Sequence, residues 1–303
     1  MALKPSTKAF MEEARRTPGF SLFDRLHGYV YARWLYPYIS VGTGEHPLAR
    51  MLGPLVGWLT RLFPDNPSRV TFADTYHGKV VPLDAATQLV TVNEEIRITD
   101  LEKIIPYARA RDIVLKNPGH IVVLDCACRA ARPNPCLPLD VCLVIGEPFA
   151  SFVVEHHPLR SRWITPDEAV EILRAEDERG HVHHAFFKDA MLGRFYAICN
   201  CCECCCGAIH AHQSGTPMLA SSGYTARADP DLCVGCGLCI DFCQFGALAL
   251  EDNRVVVDGA ACMGCGVCVS KCAQGALTLA RDPAKGEPLE IRRLIASAAG
   301  ADY

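Results

Sequence analysis

The chain has 303 residues, half of them apolar, and a formal net charge of −4. This size allows two or three domains with a real core, and the mild acidity argues against nucleic acid as the main partner. MALKPSTKAFMEEARRTPGF has no apolar leader segment, so a cytoplasmic location is expected, where 18 cysteines are poor disulfide material and good metal ligands.

Residues 1–97 contain no cysteine. Residues 1–70 carry nine Lys/Arg against five Asp/Glu and ten of the 24 aromatics. SLFDRLHGYVYARWLYPYISVGTGEHP and LARMLGPLVGWLTRLFP read as short amphipathic helices, too short and too charged to cross a bilayer. Two readings stand: a helical cap or docking region for a redox partner, or a peripheral membrane contact through residues 18–64.

Residues 98–227 read as an α/β domain. ITDLEKIIPYARARDIVLKN has a helical pattern, with Thr99 and Glu102 placed for a capping box and Pro106 as a kink or stop. HIVVLDCAC, DVCLVIGE, HVHHAFF and GRFYAICN read as strands. Thr165, Pro166 and Glu168 open a helix that Gly180 ends. Cys126, Cys128, Cys136 and Cys142 form a first thiol group, with Arg129 and Arg132 beside it to lower thiol pKa values. His181 and His183 fall on one face of a strand as a possible metal pair; they, His184, and His156 and His157 read otherwise as hydrogen-bonded structure or as proton relays near a charged redox site.

The second thiol group is ICNCCECCCGA: Cys199, Cys201, Cys202, Cys204, Cys205 and Cys206. Projected on a helix, Cys199, Cys202 and Cys206 face one way and Cys201, Cys204 and Cys205 the other. Each triplet would be completed from the first group. Ten thiols suffice for two cubanes with two to spare, or for two noncubane clusters of five thiolates each, so one or two further iron–sulfur clusters are expected.

The third group is a repeat. CVGCGLCIDFCQFGALAL and CMGCGVCVSKCAQGALTL align at an offset of 29, with ten of 18 positions identical. Three close cysteines can wrap one cubane while the fourth crosses to the other. The expected ligands are therefore Cys233, Cys236, Cys239 and Cys272 for one 4Fe–4S cluster, and Cys262, Cys265, Cys268 and Cys243 for the second. Gly235, Gly237, Gly264 and Gly266 would let the backbone wind close to the cofactors. Two zinc sites would leave the three-plus-one spacing unexplained. Residues 228–281 resemble the bacterial two-cluster ferredoxins, which implies two hairpins, two short helices and one-electron transfer. The chain departs from that family in having Gln244 and Ala273 where proline usually follows the fourth cysteine, which would loosen a turn and remove a shield from solvent.

The CNCCxCCC segment ahead of a dicluster ferredoxin also looks like a group of bacterial ferredoxin-like proteins. Its CCG at Cys205–Gly207 is similar to the cysteine-rich domains of heterodisulfide reductases, although their spacing is much longer. The expected class is α+β to α/β, with a helical N-terminal region, an α/β cysteine-rich central domain, a ferredoxin-like domain and a tail over 282–303. The expected function is relay of single electrons between 4Fe–4S clusters and a partner oxidoreductase. The alternative is a redox enzyme using a central, noncubane cluster to reduce a thiol/disulfide or other substrate.

Overall fold

The computed structural model describes residues 3–47, 49, 51, 75–99, 101–107 and 111–300. The segment LARMLGPLVGWLTRLFP lies outside them except for Ala49 and Met51. Three helices come first: α1 (Pro5–Arg16), α2 (Leu22–Arg33) and α3 (Leu35–Gly42). Pro5 suits a first helical turn because its φ is already helical. A capping box starts α2: the Ser21 amide donates to Asp24 Oδ2 at 2.8 Å, and the Asp24 amide donates to Ser21 Oγ at 3.1 Å. Phe10, Ala14, Tyr31 and Ala32 are buried in the core on one face of the central sheet, so these helices cap it.

The sheet is built from β1 (Tyr76–Val81), β2 (Ile96–Ile98), β3 (Ile113–Asp125), β4 (Asp140–Glu147), β5 (Ser161–Ile164), β6 (Val182–Lys188), β7 (Arg194–Cys201) and β8 (Leu219–Ala220). Its order is β2-β3-β4-β7-β6-β1-β8, with β5 also on β3. Among the described residues β1 and β8 run parallel and the other strand pairs antiparallel. The sheet thus starts at residue 76 and draws β1 from the stretch read as an N-terminal cap.

Helices α4 (Leu83–Val90) and α7 (Pro166–Glu178) cover one face, and α6 (Phe149–His156) and α8 (Gly207–Gln213) the other, with the single turn α5 (Ala127–Ala130) at the end of β3. Alternation decides which residue joins which core: Ile121 and Val123 point to one side, Val122 and Leu124 to the other. Both sides are covered, so β6 is buried along its whole length. At Tyr196 a bulge in the β6–β7 register breaks the alternation, and Tyr196 and Ala197 both join the core under α2 and α3.

Among the described residues of 98–117 the expected helix does not form. Ile113–Leu115 instead pair with Ile96–Ile98, and Ile113 and Leu115 are almost completely buried there. Asn117 at φ 47° and Pro118 bar a helix further on. Near Glu102 the described residues form a turn, where the Ile105 amide donates to the Leu101 carbonyl at 2.7 Å. The described part of the 282–303 tail carries α11 (Ile291–Gly300), and Leu289 and Ile291 are buried in the core beneath α4.

The C-terminal unit holds β9 (Tyr224–Ala228), α9 (Leu238–Asp241), β10 (Leu248–Glu251), β11 (Arg254–Val257), α10 (Val267–Ser270) and β12 (Leu277–Arg281). β10 pairs with β11 and β9 with β12, and the partners Leu248–Val257 and Leu277–Ala228 are related by the same 29-residue offset as the sequence repeat.

Candidate metal centres

The repeat folds into two small cavities. Cys233, Cys236, Cys239 and Cys272 line one of about 30 Å³, and Cys243, Cys262, Cys265 and Cys268 line one of about 20 Å³. The fourth cysteine of each half therefore crosses to the other half. Backbone amides point at the sulfurs in matched pairs. Val255 N–H donates to Cys233 Sγ and Ala226 N–H to Cys262 Sγ, both at 3.4 Å. Ala247 donates to Cys243 Sγ and Ala276 to Cys272 Sγ, both at 3.3 Å. A Cβ on Gly235 would lie 2.2 Å from the Asn253 carbonyl oxygen, and one on Gly264 2.1 Å from that of Tyr224. Gly237 and Gly266 adopt φ of 79° and 88° at the starts of α9 and α10. Burial pushes the Cys265 thiol up, and that of Cys268 up to about 12. Such thiols ionise when a bound metal supplies the balancing charge. Converging sulfurs, amides aimed at them and room for no side chain all fit an iron–sulfur cluster.

The ten central thiols divide differently from the helical projection. Cys199 and Cys201 end strand β7, Cys202–Cys205 form a turn, and Cys206 caps α8. No helix runs through the stretch, because Ile198 and Asn200 are held in the ladder opposite Ala185 and His183. One set is compact: the sulfurs of Cys136, Cys202, Cys204 and Cys205 all lie within 4.8 Å of one another. The remaining six, Cys126, Cys128, Cys142, Cys199, Cys201 and Cys206, line a cavity of about 320 Å³ whose wall also takes in Cys202 and Cys205 of the quartet; it is an order of magnitude larger than either cradle in the repeat. Hydrogen bonds from Cys128 and then Cys142 hold Cys126 well below the usual thiol range, and one from Cys201 lowers Cys206. Cys142 and Cys199 sulfurs stand 3.8 Å apart.

Arg129 locks this wall. It is 1% exposed; Nη1 donates to the Pro138 carbonyl at 2.5 Å, and Nη2 to Glu176 Oε2 at 2.6 Å and to the Asn200 carbonyl at 3.1 Å. It therefore joins the first thiol group, helix α7 and the Cys199–Cys201 strand end. Burial opposes ionisation of Glu176, but hydrogen bonding from His181 and the charge of Arg129 outweigh it and hold the carboxyl low. Arg132 reaches the Cys205 carbonyl at 3.4 Å and Glu45 Oε1 at 2.5 Å. Its contact on the turn is with backbone rather than with a thiol.

The rest of the cavity is apolar and aromatic. Tyr31, Tyr38, Tyr76 and Tyr196 line it, with Leu35 and Ile39 contributed by α3. The Tyr31 and Tyr196 hydroxyls are 2.8 Å apart. Lys188 lies 4.9 Å above both the Tyr31 and Tyr76 rings, and burial lowers its pKa to about 8. None of these tyrosines is marked in the sequence. The aromatic excess of the front end covers Tyr31 and Tyr38 but not Tyr76 or Tyr196, and the bulge that aims Tyr196 has no sequence signature.

The ferredoxin-like unit docks against the central thiols through the residue beside Cys243. Gln244 Nε2 donates to the Gly180 carbonyl at 3.0 Å, and its Oε1 accepts from the Glu203 amide at 2.7 Å. Phe242 covers Gly180, where a Cβ would lie 2.3 Å from the ring. Lys271 Nζ donates to the Glu178 carbonyl at 2.7 Å. Gln244, which departs from the ferredoxin pattern, is thus a joint between the two units.

His181 and His183 do not form a ligand pair. His181 Nδ1 lies 2.6 Å from Glu176 Oε2, and His183 Nδ1 lies 2.6 Å from Asn200 Oδ1, so they do not converge on one ion. His156 meets Thr7 Oγ1 and His157 the Ala32 carbonyl, each at 2.8 Å, holding α1 and α2 to α6. His184 is fully buried with no hydrogen-bond partner at either ring nitrogen, and burial lowers its pKa to about 3.

Fold and cradles together define an iron–sulfur protein with a ferredoxin-like domain. Residues 225–273 match the family model for the 4Fe-4S dicluster domain. The chain is also 40% identical over 42 residues to one of the subunits of the Ferredoxin:CoB-CoM heterodisulfide reductase of Methanosarcina mazei, a stretch covering 14% of this chain and 5% of that protein. The chain therefore spans a small fraction of that relative's length. Among the described residues no helix is long and apolar enough to cross a membrane.

Proposed function

We propose that the protein relays single electrons between a partner oxidoreductase and iron–sulfur centres in its middle domain, through the C-terminal dicluster unit. In this reading Cys233, Cys236, Cys239 and Cys272 hold one 4Fe–4S cluster, and Cys243, Cys262, Cys265 and Cys268 the other. The six thiols of the large cavity hold a further iron–sulfur centre. When bound, the clusters supply one-electron redox chemistry. The chain's residues fix them as thiolates, exclude water and tune them: the Ala226, Val255, Ala247 and Ala276 amides favour the reduced state by donating to ligand sulfur. The observation that carries the reading is the Gln244 joint, which sets the Cys243 cradle directly against the turn of the second thiol group. The partner would dock on the exposed apolar side of α2, where Leu22, Phe23 and Leu26 are more than half exposed. Flotation with anionic liposomes separates this from membrane contact, since only the latter brings the protein up with the vesicles.

Anaerobic purification with iron and sulfide counting and EPR tests the relay. More than about eight irons and eight sulfides per chain are expected, because two cubanes account for eight of each. Zinc without sulfide would remove the proposal. The size of the tyrosine-lined cavity favours a second reading, a redox enzyme with space for a substrate beside the central centre. Reduction of a disulfide to two thiols would consume two electrons and two protons. Under that reading, adding a disulfide to the reduced protein reoxidises the centres and shifts the central EPR signal; under simple relay it leaves both unchanged.

A further inference from the structure

The quartet Cys136, Cys202, Cys204 and Cys205 is built on a different scale from the other thiol sets. Its sulfur separations include 2.8 Å for Cys136–Cys204, 3.2 Å for Cys202–Cys204, 3.6 Å for Cys136–Cys202 and 3.7 Å for Cys204–Cys205. A single tetrahedral ion bonded to sulfur at about 2.3 Å places its four sulfurs about 3.8 Å apart. A cubane interposes its own iron tetrahedron. Its thiolates must therefore stand further apart by one iron–iron edge. Among the described residues, the quartet is the one set of three or more His, Cys, Asp or Glu side chains whose donor atoms all fall within 4.8 Å. The two cradles of the repeat, in the same chain, do not close to that spacing.

We infer that these four cysteines hold one mononuclear tetrathiolate metal ion, zinc or iron, and not an iron–sulfur cluster. The donor set is soft and complete, as in closed sites that leave no position for water. The local fold presents it: the Cys205 and Cys206 amides both donate to the Cys202 carbonyl, winding the turn so that three thiols face Cys136 on the opposite loop. Cys202 and Cys205 are buried and Cys204 is exposed, so the ion sits just beneath the surface. It clips the Cys136 loop to the turn that continues into Cys206 of the cavity wall, and that gives the Glu203 amide to Gln244. The ten central thiols then serve one four-thiolate ion and one six-thiol centre, with Cys202 and Cys205 of the ion site forming part of the cavity wall between the two.

The test uses the full chain, purified anaerobically, as wild type and as the Cys136→Ser/Cys204→Ser variant. The variant is expected to lose one metal ion per chain while acid-labile sulfide stays unchanged. Wild-type protein, grown on ⁵⁷Fe, is expected to show either a zinc-edge shell of four sulfurs at about 2.3 Å with no metal neighbour, or a Mössbauer component of isolated tetrathiolate iron. The wild-type spectra decide the matter even if the variant fails to fold. Loss of sulfide together with iron in a folded variant overturns the inference, as does a wild type showing neither signal. A chain with no sulfide at all but an intact zinc-edge signal would end the cluster relay and leave this site standing.

Discussion

Arg129 shows how much of the central site depends on one side chain. Its guanidinium is buried, and it bridges the Pro138 carbonyl, Glu176 and the Asn200 carbonyl. Removing one partner of a buried pair leaves the other charge uncompensated, at a cost of about 3–5 kcal/mol. Glu176 keeps Arg179 and His181 as partners, so Arg129→Met is expected to lower unfolding stability by no more than that amount and to strip iron from the central thiols while the repeat keeps its own. Glu176→Gln added to it is expected to restore part of the stability. The pH dependence has a definite sign. The folded carboxyl is held below the ordinary 4.5, so its stabilisation is present above that value and fades as the pH falls through the lowered one. Denaturant titrations at stepped pH will show the wild type losing stability across that acid window and the double variant losing less. Arg129 was legible as a cation beside a thiol. Its partners, 47 and 71 residues away, were not, because nothing in local spacing records them.

At the level of elements, local signals worked where one interaction dominated. Thr165 accepts from the Glu168 amide at 3.2 Å and starts α7, and Gly180, at φ 82°, lies just beyond its end. The runs at β4, β6 and β7 are too apolar to be anything but buried elements, and flanking turns set their length. Residues 98–117 misled because their apolar spacing suits a helix, while Ile113–Leu115 gain more by pairing with β2 inside the core. The CNCCECCC stretch misled for a similar reason: β6 holds its first half in a ladder, which a periodicity argument cannot see. The cradle loops are the opposite case, where a glycine requirement is absolute. Gly264→Ala would drive Cβ into the Tyr224 carbonyl at a residue with φ 64°. It is expected to remove about four irons and four sulfides, one cubane of the two. Gly259→Ala, where nothing lies within 4 Å, is expected to keep them all. Metal and sulfide analysis of the two variants checks this.

For the whole molecule the decisive contact is Gln244. In the ferredoxin pattern a proline would stand there; in this chain the amide side chain joins Gly180 and Glu203. Proline could make neither contact. Gln244→Pro is expected to leave both clusters of the repeat in place and to slow reduction of the central centre at least tenfold. Rapid-freeze EPR after reduction through the repeat measures that rate. An unchanged rate would mean that electrons reach the centre by another face, such as the contact of Phe245 with His212.

The sequence by itself determined the chemistry of the C-terminal unit. Its cysteines and glycines lie within one repeated loop, where short-range spacing dictates geometry, and the 29-residue offset recurs in strand pairs, amide–sulfur bonds and glycine contacts. Only the tertiary structure decided how the ten central thiols are shared. They come from two segments about sixty residues apart, brought together where β7 follows β4 in the sheet. Strand register, a turn and one buried arginine then gather Cys136, Cys202, Cys204 and Cys205 into one compact set and place the other six on the wall of the large cavity, which Cys202 and Cys205 also reach. Those are long-range packing outcomes, and local spacing carries no information about them.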